Sequence, residues 1–276
     1  MRLEKADIIL DSVSPLGDRL TTMEFTFVRW VLAEFNTHRS HSRNSASSRA
    51  IPVEKVLGKV VETPAWPIVW ASEQPGMQGG NELSGQDLAD AKDLFLDIWE
   101  ATTSRIQVYL DSHPEKKSRL HKSLINRTLE PFMWHTVIAT ATEAGWNNFF
   151  LLRATKFSPL AQPEIAVVAD MAYDAYQASQ PILLGYGQWH TPYIREDETD
   201  LYEETKKRVS VARCARVSHL THDGVRDTTE DIAMFGRLTS AFPRHDSPLE
   251  HVATPSDGPT LGNFDGWAQL RHLEVL

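Results

Sequence analysis

The stretch Thr37 to Arg49, THRSHSRNSASSR, alternates basic side chains with small hydroxyls and a single amide. Arginine offers charge and forked N–H donors, while serine hydroxyls and the backbone amides of a tight turn add short neutral hydrogen bonds, so the run suits an anion of the phosphate type. Composition alone favours a plainer account, a basic surface loop with helix-capping serines. The spacing of these residues, and the chain on either side, decide between the two.

Upstream, residues 5–12 (KADIILDS) and 21–32 (TTMEFTFVRWVL) are rich in β-branched and aromatic residues, with Pro15, Gly17 and Asp18 between them. They predict two strands, the second passing into a helix near Trp30. Downstream, Pro64, Pro67, Pro75 and four glycines make 63–85 a long surface excursion. Ser84 and Asp87 have capping-box spacing, and Leu88, Leu94, Phe95, Ile98, Trp99, Ile106 and Leu110 follow at the spacing of a long amphipathic helix. Segments 117–129, 133–144, 161–178 and 229–241 also read as helices, with Pro131 and Pro159 near their breaks. Residues 195–207 read as a solvated helix face without chemistry. The 276 residues then form one domain, 1–276, with an elaborated loop at about 63–85.

A formal charge of −9 argues against a sequence-independent nucleic-acid binder, which needs many cations against phosphates, but leaves room for one small phosphate ligand. The start, MRLEKADIIL, lacks the apolar core of a signal peptide, and no window approaches the roughly eighteen apolar residues of a membrane span, so the expectation is a cytoplasmic protein with no membrane partner. Cys214 is the only cysteine, which excludes an internal disulfide; no base stands near it in sequence, so it reads as a packed residue. His38 with His41, and His219 with His222, each give one three-residue step with no acidic partner on a helix, so no metal site is expected.

Within the opening stretch, His38, Arg39, Ser42, Asn44, Ser47 and Arg49 stand at fixed spacing. That pattern resembles the Arg-His-Arg-x-x-Ser-x-Asn-x-x-Ser-x-Arg signature of the flavin-dependent thymidylate synthases, with Thr37 in place of the first arginine. Arg127 followed by Pro131, and Asn148 followed by Leu152 and Arg153, resemble two further elements of that family. Ala215-Arg216-Val217-Ser218 and His245-Asp246-Ser247-Pro248-Leu249-Glu250-His251 resemble two more, which in common members precede the signature and here follow it. The order implies a circular permutation, tolerable where the original ends lie close together at a surface. On that reading Gln269 and Arg271 replace the glutamine and arginine missing at Glu34 and Thr37; the plainer alternative is that they end a terminal strand.

The resemblance implies an α+β fold with a mixed sheet flanked by long helices, and a homotetramer with sites at subunit interfaces. It implies FAD, NADPH and 5,10-methylenetetrahydrofolate acting on UMP or dUMP, with reductive methylation at C5 of the pyrimidine. The alternatives are 5-hydroxymethylation of a pyrimidine nucleotide and a non-catalytic flavin- or nucleotide-binding regulator. Carried over by position, His38, Arg39, Asn44, Asn148, Ser218, His245, Ser247, Glu250 and Arg271 would contact FAD. Ser47, Ser48, Arg49, Arg127, Arg153 and Gln269 would hold the nucleotide, with Arg153, Ser47 and Arg127 nearest the chemistry. Ala144 stands where an arginine is expected and puts one flavin contact in doubt. Ser45 stands where common members carry glutamate, a shortening that leaves room for a ribose 2′-hydroxyl.

Overall fold

Strands β1 (Lys5–Val13) and β2 (Arg19–Val28) form an antiparallel pair in the computed structural model, which describes residues 2–219 and 227–273. The turn between them needs Gly17, whose φ of 93° is in the left-handed region that side chains disfavour. β2 continues into a 3-10 turn and the short helix α1 (Leu32–Asn36), as its aromatic end at Trp30 predicts. The signature begins in the loop after α1 and supplies β3 (Ser42–Ser45).

Residues 133–144, expected as a helix, are instead mostly strand β4 (Trp134–Thr142). The sequence WHTVIATAT mixes alanines with β-branched residues, so local propensity is indecisive and pairing decides. β4 lies between β2 and β3, antiparallel to both, and matches β2 residue for residue from Leu20↔Thr142 to Val28↔Trp134. With β5 (Ile182–Leu183) parallel to β1, the sheet has the order β3-β4-β2-β1-β5 and is mixed. The fold is α+β, a mixed sheet flanked by long helices.

Helices α5 (Glu143–Arg153) and α6 (Pro163–Ala178) cover one face of this sheet. There Met23, Phe25 and Phe27 of β2 meet Trp146, Phe149 and Phe150 of α5 and Ile165, Val168 and Ala172 of α6, all buried. Phe25 stacks on Trp146 with ring centroids 5.9 Å apart. Burying side chains of this size is worth about 1.5–3 kcal/mol each, which fixes α5, and so Arg153 at its end, against the sheet. The other face mixes hydroxyls with apolar residues: Thr22, Thr140 and Ile138 look toward α7 (Glu203–Arg216) and the 3-10 turns Val217–His219 and Ser247–His251. Cys214 packs there, fully buried, with its thiol pKa pushed well up by burial.

A second apolar layer joins α2 (Val53–Glu62), α3 (Gly85–Ser112) and α4 (Lys122–Thr128). The segment 117–129, expected as one helix, is shorter: a 3-10 turn at Lys116–Ser118 precedes α4, whose N-cap is His121 accepting from the Ser123 amide. Ser84 does precede α3, but its side chain makes no capping hydrogen bond. The chain closes with α8 (Thr228–Ser240), the β6 (Ala253–Pro255) and β7 (Trp267–Gln269) pair, and α9 (Leu270–Leu273). No helix among the described residues is long and apolar enough to cross a membrane.

Candidate functional site

The signature loop is pinned at both ends. At its start, His38 is buried against Phe149 of α5, and the Arg153 Nε–H donates to His38 Nε2 at 3.2 Å. Arg153 also donates to Thr37 Oγ1 at 3.3 Å. Since a guanidinium can only donate, the proton of a neutral His38 sits on Nδ1. Burial, reinforced by the Arg153 and Arg43 charges, pulls the His38 pKa down to about 4, so the ring is neutral at physiological pH. Its Nδ1 is buried and has no hydrogen-bond partner among the described residues, a donor left for something else.

At its far end the loop meets segments distant in sequence. The Ser47 amide donates to the Ser218 carbonyl at 2.9 Å. The Asn44 amide nitrogen faces three acceptors, the Ser247 carbonyl (3.1 Å), the Arg43 carbonyl (3.0 Å) and His251 Nε2 (3.2 Å), and shares its two protons among them. Gln269 Nε2 donates to Ser42 Oγ (3.1 Å) and to the Glu250 carbonyl (2.9 Å), while Arg271 pairs with the Glu250 carboxylate. Gln269 is buried, and its amide nitrogen is committed to this scaffold. Arg43, which position matching passed over, spans the two ends: it donates to the Phe35 and His38 carbonyls, and Glu250's charge offsets the lowering of its pKa by burial.

Ser218 owes its position to a buried ion cluster. Asp231 of α8, fully buried, accepts from Arg213 Nε at 3.0 Å and Arg216 Nε at 2.8 Å, and Arg213 also bonds Glu198. Arg216, part of the Ala-Arg-Val-Ser element, thus ties α7 to α8, and the turn carrying Ser218 follows directly.

Arg127 and Arg153 line one cleft of about 1150 Å³, together with Arg29, Trp30, Glu34 and Glu130. The excursion at 63–85 forms its opposite wall and is folded back on itself: the Ser72 amide donates to Asn81 O (2.8 Å) and the Leu83 amide to Trp70 O (2.7 Å). Gly79 is required there, since a Cβ would lie 2.5 Å from that of Ala71. Arg49 does not line this cleft, yet its loop is tied to the helix carrying Arg127: Asn126 donates to the Ser48 and Ile51 carbonyls at 2.9 and 3.0 Å, and Lys122 to the Ala50 carbonyl at 2.8 Å. Arg39, Arg49, Arg127, Asn148 and His245 are exposed. Half-buried Ser45 ends β3, and Ala144 opens α5 on the surface.

Among the described residues no group of three or more His, Cys, Asp or Glu is placed to hold a metal ion; His222 lies outside them. Arg43, His251 and the cleft residues Arg29 and Trp30 were not assigned from sequence. His251 sat inside a quoted motif, whereas nothing local marks Arg29 or Trp30, whose meeting with Arg127 depends on the fold.

No family model matches the chain, and no curated protein matches it. Solved structures that match include a UMP/dUMP methylase, PolB, from Streptomyces cacaoi bound with 5-Br UMP, at 16% identity over 64% of this chain and 89% of that one, with a TM-score of 0.49. The same enzyme with 5-Br dUMP matches at 15% identity over 64% and 90%, with a TM-score of 0.48. Thymidylate Synthase X (ThyX) from Helicobacter pylori with FAD and dUMP matches at 16% identity over 57% and 67%, with a TM-score of 0.38.

Proposed function

We propose that the chain binds FAD together with a uridine monophosphate and methylates C5 of the pyrimidine reductively, with 5,10-methylenetetrahydrofolate as carbon donor and NADPH as reductant. The observation that carries this reading is convergence. Four segments that share spacing with the flavin-dependent thymidylate synthases meet around one short strand, through Ser47 and Ser218, Asn44 and Ser247, and Gln269 with Ser42 and Glu250. Gln269 beside the signature strand, and Arg271 on Glu250, also support the permuted order of the motifs.

The donor set fits a flavin nucleotide. His38 offers a buried N–H without a partner among the described residues, and Arg39, Asn148 and His245 are exposed. Bound and reduced, the flavin supplies the redox chemistry, which is the cofactor's own. The chain's residues place and polarise the substrate. Arg127 and Arg153 share a cleft with room for a mononucleotide, and a guanidinium fixed against His38 stabilises negative charge on the uracil ring, which makes C5 nucleophilic. The loop of Ser47, Ser48 and Arg49 supplies phosphate contacts. Because Arg49 lies outside the cleft of Arg127 and Arg153 in one chain, a homotetramer with sites between subunits would bring them together.

Two measurements test this: the absorption spectrum of the purified protein, and turnover of UMP and dUMP with NADPH and methylenetetrahydrofolate. A flavin spectrum and a product heavier by a methylene unit are expected, with UMP accepted because Ser45 is short. A product heavier by the elements of formaldehyde indicates the hydroxymethylase instead, and bound flavin without product a regulator. Absence of both flavin and product sinks the reading.

A further inference from the structure

Beneath the signature strand runs a buried chain of side chains, most of them outside every motif. Asn44 of β3 contacts His251 Nε2 (3.2 Å), and His251 Nδ1 contacts Thr140 Oγ1 of β4 (2.8 Å). Thr140 contacts Thr22 Oγ1 of β2 (2.6 Å), Thr22 contacts His190 Nε2 (2.8 Å), and His190 Nδ1 contacts Ser12 Oγ of β1 (2.8 Å). Thr22 and Thr140 are directly paired across the sheet, and all six residues are buried, Asn44 the most accessible at 8%.

The direction of these bonds is determined. The Ser247 and Arg43 carbonyls beside Asn44 can only accept, so the Asn44 amide nitrogen must face them and therefore His251. His251 Nε2 must then be the bare nitrogen and Nδ1 the protonated one, donating to Thr140. Each hydroxyl has one proton, so Thr140 donates to Thr22 and Thr22 to His190 Nε2, which leaves His190 Nδ1–H to donate to Ser12. Both rings are neutral, burial having pulled their pKa values down to about 3.

We propose that His251, Thr140, Thr22 and His190 form a one-way hydrogen-bond chain whose role is positional: it fixes which atom of the Asn44 amide faces the protein and which is presented to the cofactor. The cofactor half rests on the function proposed above; the chain itself does not. A chain of single-proton links has only two consistent states, one the reverse of the other, so a change at Asn44 must be felt at His190, across β4 and β2 on the same face of the sheet.

The test uses the full chain with isotope-labelled histidine and long-range nitrogen–proton NMR correlations, which distinguish protonated from bare ring nitrogens. His251 and His190 are both expected as the Nδ1–H form. In Asn44→Asp, where the carboxylate only accepts, both rings should switch to Nε2–H; adding Thr140→Val should leave His190 unresponsive, and Thr140→Ser should restore the response. Either ring as Nε2–H in the unsubstituted chain overturns the proposal without any variant, as does a His190 that ignores Asn44→Asp while Thr140 is intact. Flavin retention gives the second readout: Thr140→Val should loosen FAD roughly tenfold and Thr140→Ser should hold it near the starting value. Tautomers as expected with no flavin bound leave the chain standing and remove the proposed function; bound flavin with mixed tautomers does the reverse.

Discussion

The two faces of the sheet's signature edge solve opposite problems. On the side of α7 and the Ser247–His251 turn, buried polar groups find partners within the chain: Asn44, His251, Thr140, Thr22 and His190 bond in series, and Asp231 with Glu198 neutralises two arginines. On the side of the cleft, cations and apolar groups stand open: Arg127 is exposed, and Met77 of the excursion is 98% exposed. Buried polar groups cost heavily unless paired, so the first side must be complete in one chain. The second side tolerates incompleteness because water serves until a ligand or another copy arrives. Substitutions on the first side should therefore change stability, and on the second, function.

Acid should give the largest effect and reach both sides, since His190 and His251 lie on the side of α7 while His38 and His41 pack against α5 and His135 faces Phe27. Burial lowers the pKa of His41, His135, His190 and His251 to about 3 and that of His38 to about 4. In the unfolded chain each regains a value near about 6.5, so between these limits the unfolded state binds the protons. Stability is then complete above the unfolded value and lost as pH falls toward the folded ones, by about 1.4 kcal/mol per pH unit for each of the four deepest histidines and by less for His38. Denaturant midpoints should be flat above about pH 7 and fall steeply below about 6.5, with several protons taken up. A midpoint unchanged down to pH 5 would show that the rings find partners or solvent.

Next in size is Asp231→Ala. It strands Arg216 in the interior and leaves Arg213 with Glu198 alone, which should cost about 3–5 kcal/mol in denaturant unfolding. The counterpart in the cleft is Arg153→Ala. Its loss should lower kcat by about a hundredfold to a thousandfold, with stability within about 1 kcal/mol of the parent. Arg153→Lys should not rescue it, since a lysine cannot reproduce the guanidinium fork that reaches both His38 and Thr37. An Arg153→Ala protein that unfolds as readily as Asp231→Ala would erase the distinction between the sides.

Much of this was legible in the residues. The first two strands, α3, α6 and α8 follow from periodicity and breakers, and the signature spacing pointed to the loop that the fold places at the centre of its contacts. β4 was not legible, because WHTVIATAT acquires its state from pairing with β2 over its whole length. The same cause hid the histidine chain: Thr22, Thr140 and His190 are ordinary residues in sequence and meet only through strand register. Arg29 and Trp30, at the end of β2, reach the cleft only because the chain turns there into α1.

The smallest effect on stability, and the finest test of the contrast, lies within one helix. Along α3, Phe95, Trp99, Ile106 and Leu110 turn toward α2 and α4, while Leu94, Ile98, Ala101, Arg105 and Val108 form a stripe facing outward. Three large apolar side chains exposed on one stripe, Leu94, Ile98 and Val108, are costly for a chain that remains alone, and the proposed homotetramer would cover them. Ile98→Glu should leave the unfolding free energy of the single chain within about 0.5 kcal/mol but shift light scattering to a smaller species. Ile106→Glu, two turns further along on the inward stripe, should prevent folding by burying a charge among apolar neighbours. If Ile98→Glu leaves the assembly intact, the outward stripe is not where copies meet, and the open side of the molecule is completed by ligand alone.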